Sequence, residues 1–191
     1  MVHNDAAVIS FTNAAEFDSW LEDNHRRQEG VWLKLAKKDS GIPSLTADEA
    51  VDAGLCWGWI SGQRRPYDQR YYLQKYVPRR PGSVWSQVNV RKVEALAAAG
   101  RMRAPGLAEV AAAKADRRWD VAYVSQRNAN PPPDLVRALS RNKAARRFFD
   151  RLNKTDQYAV ILRLAKERTA ERRAVRLKNI IAAMAAGKKA R

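Results

Sequence analysis

One cysteine, two histidines and no long apolar run leave several chemistries without their residues. Cys56 alone cannot build an intrachain disulfide framework or a cysteine cage for a metal. His3 and His25 stand apart, and no His-x-Glu, His-Glu-x-x-His or Cys-x-x-Cys pattern occurs, so no zinc site is expected. Neither Gly-x-Gly-x-x-Gly nor a Walker-type loop is present, which removes the usual phosphate cradles. A Gly-x-Ser-x-Gly nucleophile elbow is also missing. No apolar stretch approaches the roughly 18 residues of a membrane span. The opening Met1-Val2-His3-Asn4-Asp5 lacks a basic segment followed by an apolar one, so no secretory signal is expected. Together these absences lead us to expect a cytoplasmic protein with no cofactor.

Acidic residues are scarce too. The 191 residues hold 36 Lys/Arg and 20 Asp/Glu, a net charge of +16. Residues 1–136 carry 19 basic and 16 acidic side chains, whereas residues 137–191 carry 17 and 4. That asymmetry suggests an acidic partner: nucleic acid, an anionic membrane face or an acidic protein. A solvated basic surface accounts for it as well.

With 46% hydrophobic residues the chain can bury a core. Val8–Phe11 and Gly30–Lys38 read as strands, the second alternating Val31, Leu33 and Leu35 against Trp32, Lys34 and Ala36. Between them Thr12 or Asn13 caps a helix whose buried stripe is Phe17, Trp20 and Leu21. Thr46 and Glu49 form a capping box for a second helix. Cys56–Gly62 reads as a strand with Trp57 and Trp59 on one face, turning at Arg65-Pro66 into an aromatic strand over residues 69–77. Ser83 is expected to cap a helix that runs to Ala99 and stops at Gly100. Pro105 suits the first turn of the next helix.

Asn128–Pro133 reads as a linker between the two charge regimes. Four helices follow, at about residues 134–140, 142–152, 155–168 and 170–186. Tyr158, Ile161, Leu162 and Ala165, and then Leu177, Ile180, Ile181 and Met184, supply their apolar stripes. The expected fold class is α+β: a small antiparallel sheet with flanking helices, then an all-helical basic C-terminal region. The expected divisions are a tryptophan-rich α+β domain over 1–127, a linker over 128–133, a helical region over 134–187 and a frayed tail over 188–191.

Three segments could carry function. Trp57-Gly58-Trp59-Ile60-Ser61-Gly62 could wall a pocket, although core packing with a close backbone approach at Gly58 is preferred. In Pro78–Asn89, Arg79 and Arg80 precede the expected helix start. Exposed amides and arginine forks there favour a phosphate or carboxylate. The candidate anion-binding residues are Arg79, Arg80, Ser83, Trp85, Ser86 and Asn89, with Trp59 and Arg173. The last helix brings Arg168, Arg172, Arg176 and Lys178, candidates for salt-sensitive contacts to nucleic acid. At about 100° per residue, Arg173 falls inside the Leu177/Ile180/Ile181/Met184 stripe. An arginine there needs an anionic or carbonyl partner, because an unpaired buried charge is very costly.

These segments together resemble the YdeI/OmpD-associated, or bacteriocin-protection, family. The resemblance covers about residues 9 to 187. It rests on Gly30–Leu33, Lys37-Lys38, Ser44–Ala50, Gly58–Gly62, Pro78-Arg79, Ser83, Trp85-Ser86, Asn89 and Gly100-Arg101-Met102. Arg173, Arg176 and Leu177 fit the family's C-terminal pattern, with Arg172 where Thr is usual. Ser61 stands where the family usually has Asp. The resemblance implies a bacterial cytoplasmic protein linked to tolerance of antimicrobial peptides or envelope stress, and no established catalysis. The leading expectation is a non-enzymatic stress or bacteriocin-tolerance protein that binds an anionic or protein partner. The alternatives are a nucleic-acid-binding protein using residues 137–191 and an enzyme acting on a small anionic substrate.

Overall fold

A computed structural model of the chain describes residues 6–124, 128–167 and 169–189. His3 and Arg168 lie outside the described residues. The fold is α+β: a four-stranded sheet and eight helices among the described residues, with the C-terminal region all helical. The chain divides into two compact units. One holds residues up to Ser83 and Asn89–Trp119; the other holds Val84–Val88 and the chain from Asp120. None of the described helices is long and apolar enough to cross a membrane.

In the first unit the elements run β1 (Val8–Ile9), α1 (Ala14–Asn24), β2 (Val31–Ala36), α2 (Ala47–Cys56), β3 (Trp59–Pro66), β4 (Tyr71–Pro78), α3 (Gln87–Ala98) and α4 (Ala104–Ala115). The first residues of α3 are grouped with the second unit. The sheet order is β1-β2-β4-β3. The pairs β2/β4 and β4/β3 are antiparallel, and β1 joins β2 in parallel, Val8 opposite Trp32. Val31, Leu33 and Leu35 are buried, as the alternation requires.

Helix α1 starts where Asn13 accepts from the Glu16 amide, and α2 where Thr46 and Glu49 complete the capping box. Phe17 of α1 meets Tyr76 of β4 edge-on at 5.7 Å, and Trp20 meets Trp59 of β3 at 5.9 Å. These rings centre the core on one face of the sheet. Lys92 ties α3 to α2, reaching Asp52 at 2.7 Å and Asp48 at 2.9 Å.

The segment 56–62 departs from the expected strand. Helix α2 continues through Cys56, Trp57 caps it, and β3 begins only at Trp59. Gly58 makes the break, with φ +75°, a left-handed conformation that costs a side-chain-bearing residue about 1–2 kcal/mol. A Cβ there would also sit 3.1 Å from the Pro105 carbonyl oxygen, the close backbone approach expected at this glycine. Trp57 and Trp59 therefore do not share a strand face. The Trp57 indole donates to Asp18 at 2.8 Å and stacks on His25; the Trp59 indole donates to the His25 carbonyl at 2.9 Å.

The β3–β4 turn also differs. It lies at residues 67–70, beyond Arg65-Pro66, because Asp68 accepts from the Arg70 and Tyr71 amides at 2.7 Å each and stabilises the turn there.

The second unit contains α5 (Pro133–Arg141), α6 (Lys143–Arg151), α7 (Lys154–Ala165) and α8 (Ala170–Ala185). Asn142, Asn153 and Thr169 cap the last three with side-chain oxygens. Leu135, Leu139, Ala145, Phe149, Val160, Leu164, Ile180 and Met184 form one buried cluster. The α8 stripe agrees with the expected one. On α7 the buried pair is Val160 and Leu164, one register off the expected Tyr158/Ile161/Leu162/Ala165 stripe, because the apolar run Val160–Leu162 satisfies both registers. At the end of α8 the Lys188 amide reaches the Ala183 carbonyl at 2.9 Å, a Schellman closure. Lys189 reaches Asp156 at 2.7 Å, so these two residues of the expected frayed tail are anchored.

Candidate functional site

The Pro78–Asn89 segment folds as a tight turn and an extended stretch before α3. Ser83 does not cap a helix. Its amide donates to the Arg80 carbonyl at 3.0 Å and its hydroxyl accepts from the Arg80 amide at 3.1 Å, so it closes the turn. Residues Val84–Ser86 then precede the first turn of α3 at Gln87, so the helix expected to follow a Ser83 cap starts three residues later. Arg118, which has no periodic signature in the sequence, donates to the Ser83 carbonyl at 2.7 Å and to Asp116 at 2.6 Å. It holds the turn from behind.

The two arginines separate. Arg80 is exposed, whereas Arg79 is only 5% exposed and its amide donates to the Gly58 carbonyl at 2.9 Å. The Arg79 side chain is thus withdrawn from solvent. Trp59 is a core residue of the first unit, and Asn89 lies on α3, half-buried.

Trp85 and Ser86 belong to the second unit. Trp85 is 1% exposed, and its carbonyl accepts from the Tyr123 amide at 2.9 Å. Ser86 and Tyr123 form an isolated parallel bridge. Tyr123 lines a cavity of about 200 Å³ together with Tyr158, Ile161, Leu162, Ala165 and Arg173. The expected α7 stripe is therefore the wall of this cavity. Tyr158 donates its hydroxyl to the Val124 carbonyl at 3.0 Å.

Arg173 has the partners its position demands. Its Nε and one terminal nitrogen bind the Asp134 carboxylate at 2.7 and 3.0 Å, and the other terminal nitrogen binds the Leu164 carbonyl at 2.7 Å. The hydrogen bond from Arg173 is the main cause that lowers the Asp134 pKa. Among the other α8 cations, Arg172 and Lys178 are exposed, and Arg176 pairs with Glu167 at 2.7 Å. Arg172 and Arg176 border a shallow groove shared with Glu167 and Glu171, so its charge is mixed.

The solvent-facing sides of α5 and α6 carry a purer charge. Arg137, Arg141, Lys143, Arg146, Arg147 and Arg151 are all exposed, and Asp150, beside Arg146 at 3.7 Å, is the one exposed acid on these two helices. None of these six is among the individual candidate residues expected from the sequence, although their spacing opposite Leu135, Leu139, Ala145 and Phe149 carries the signal. Among the described residues no three His, Cys, Asp or Glu side chains are grouped to hold a metal ion.

Comparison with curated proteins and with solved structures gives no significant match. Two family models do match. Residues 128–187, covering the four-helix region, match the family described as bacteriocin-protection, YdeI or OmpD-associated. The chain also matches, over residues 9–109 and thus more than half its length, a family described as a domain of unknown function, DUF8412. The chain accordingly belongs to the DUF8412 family, and its residues 128–187 are similar to the bacteriocin-protection, YdeI or OmpD-associated family.

Proposed function

We propose that this chain is a non-enzymatic bacteriocin-tolerance protein that acts by binding an acidic partner through the outer faces of α5 and α6. In this reading it is a cytoplasmic stress protein. The family match over residues 128–187 supports the protective role. The observation that carries the binding mode is the division of labour in the four-helix unit. All four helices contribute to one buried apolar cluster, while six exposed cations on α5 and α6 face solvent beside one exposed acid. A surface of one sign accelerates encounter with partners of the other sign and rejects like-charged ones. Burial of Arg79 leaves Arg80 as the one exposed cation of the Pro78–Asn89 turn, which favours these helices over the turn as the partner surface.

The test of the role is survival. Bacterial cells producing the chain are challenged with a bacteriocin and compared with cells that lack it. Higher survival supports the reading, and equal survival across several bacteriocins removes it. Nucleic acid is the second reading, favoured by the same excess of exposed arginine. Fluorescence anisotropy with labelled single-stranded and duplex oligonucleotides separates the two. Affinity that falls steeply between 50 and 200 mM salt marks phosphate contacts, for which a loss of about 10³-fold or more is expected when several phosphates are engaged. A flat response at both salts eliminates this second reading.

A further inference from the structure

A second cationic feature lies in the first unit and shares no residue with the anion site expected from the sequence. The loop from β2 to α2 and the distal part of the β3–β4 hairpin enclose a cleft of about 790 Å³. Lys37, Lys38, Arg64 and Arg65 line it, and no carboxylate is among its lining residues. Asp39 adjoins Lys38 in the loop, and the other acids nearby are engaged: the Glu49 carboxylate accepts from the Thr46 amide and hydroxyl, Asp48 pairs with Lys92 at 2.9 Å, and the Asp68 carboxylate accepts from the Arg70 and Tyr71 amides while its carbonyl accepts from Lys37 Nζ at 2.9 Å. Lys37, Lys38 and Arg64 bring positive charge to a space with no carboxylate in its lining.

The arginines are held in place. The Arg64 guanidinium lies 4.4 Å from the Tyr72 ring centroid, and its Nε donates to Gln74 Oε1 at 3.0 Å. Gln74 is only 6% exposed and is itself fixed, its amide donating to the Gly62 and Gln63 carbonyls at 2.9 and 3.1 Å. Gly62 and Gln63 are the residues of the β3 bulge, which lies between Ser61 and Arg64. The bulge frees the two carbonyls that position Gln74, and Gln74 positions Arg64. The Arg65 guanidinium lies over Trp32 at 4.1 Å; Trp32 packs with Leu73, which alternates with Tyr72 along β4, so Arg65 is turned to the other face of the sheet and Arg64 is the arginine whose fork faces the cleft. A guanidinium stacked on a ring keeps its in-plane N–H groups for a further acceptor, and ordering it in advance reduces the entropy lost on binding.

The remaining lining is largely apolar, with Ile42, Leu45, Pro66 and Tyr72 among it. A cleft of this size suits a small molecule and exceeds the need of a bare ion. The Arg64 fork matches an oxoanion with two accessible oxygens. We infer that this cleft binds a small organic phosphate, its dianionic head between Arg64 and the lysines and its apolar body against Ile42, Pro66 and Tyr72. This site is independent of the α5–α6 surface proposed above.

Isothermal titration of the full chain at low salt tests it, with phenyl phosphate and inorganic phosphate as probes. Saturable one-site binding is expected, with phenyl phosphate about tenfold tighter because its ring is partly buried. Arg64→Ala should weaken phenyl phosphate about tenfold or more, as loss of a charge-assisted contact does. Lys38→Ala, at an exposed side chain that bears on no core residue, should weaken it several-fold with an unchanged melting temperature, and covers the case in which Arg64→Ala fails to fold. Arg147→Gln, on α6, should leave the titration unchanged. The inference is overturned by no saturable binding, by equal affinity for the two probes, or by an Arg147→Gln loss as large as that of Lys38→Ala.

Discussion

Arg173 and Asp134 form a two-point ion pair between residues 39 positions apart, with nitrogen–oxygen distances of 2.7 and 3.0 Å. Asp134 sits in the first turn of α5 and Arg173 in the first turn of α8, so one bond joins two helix starts. The same guanidinium also binds the Leu164 carbonyl near the end of α7. Removing either partner should destabilise the four-helix unit. Arg173→Met or Asp134→Asn is expected to lower unfolding free energy by about 1–3 kcal/mol at neutral pH, read from urea denaturation.

The pair also has a pH signature. Asp134 has a lowered pKa in the folded chain, chiefly through the Arg173 hydrogen bond. A depressed carboxylate contributes its full stability above the unfolded pKa of about 3.9, and loses it as pH falls through the lower folded value. The stability gap between the native chain and Asp134→Asn should therefore be widest near neutrality and shrink below about pH 4. A gap that stays constant down to pH 2 would show that the pair is not the source.

Cys56 is 2% exposed at the end of α2, and burial raises its thiol pKa. The thiolate is the reactive form, so the folded protein should resist a thiol reagent such as dithionitrobenzoate near neutral pH. One thiol should titrate promptly in denaturant. Rapid reaction in the native protein would place Cys56 at the surface.

Two glycines separate contact from conformation. A Cβ on Gly106 would sit 2.2 Å from the Cys56 carbonyl oxygen, so α4 and the end of α2 can approach as they do only without a side chain. Gly106→Ala should cost about 1–3 kcal/mol through this overlap. Gly82 has open space around it and φ +78° in the Arg80–Ser83 turn. Gly82→Ala should cost about 1–2 kcal/mol from backbone strain alone. Thermal melts of the two variants check both. A neutral Gly106→Ala contradicts the close helix approach.

Local chemistry was legible where one residue type had one job. Asn13, one of two cap candidates with Thr12, and the Thr46/Glu49 box mark their helix starts because an N-cap needs only a short polar side chain at a set distance. The need for a partner at Arg173 was legible from the angle it makes with the α8 stripe. That the partner is Asp134 was not, because tertiary pairing has no local signature. The boundary at Gly58 was missed because Cys56-Trp57 fits either the end of a helix or the start of a strand, and a left-handed glycine decides between them. On α7, three adjacent apolar residues left the register open. The cleft was invisible for another reason. Lys37-Lys38 and Arg64-Arg65 are far apart in sequence, and only the hairpin and its bulge bring them to one space.

The most direct measurement of the central claim is survival under bacteriocin challenge with the α5–α6 surface neutralised. Arg137→Gln, Arg141→Gln and Arg147→Gln together remove three exposed cations while leaving Leu135, Leu139, Ala145 and Phe149 in place. Exposed substitutions of this kind usually change stability by no more than about 0.5 kcal/mol each, so the variant should melt close to the native chain. Neutralising Arg26 and Arg91, also exposed, serves as the control in the first unit. The account predicts that the α5–α6 variant loses protection and the control keeps it. Full protection by the α5–α6 variant would contradict it.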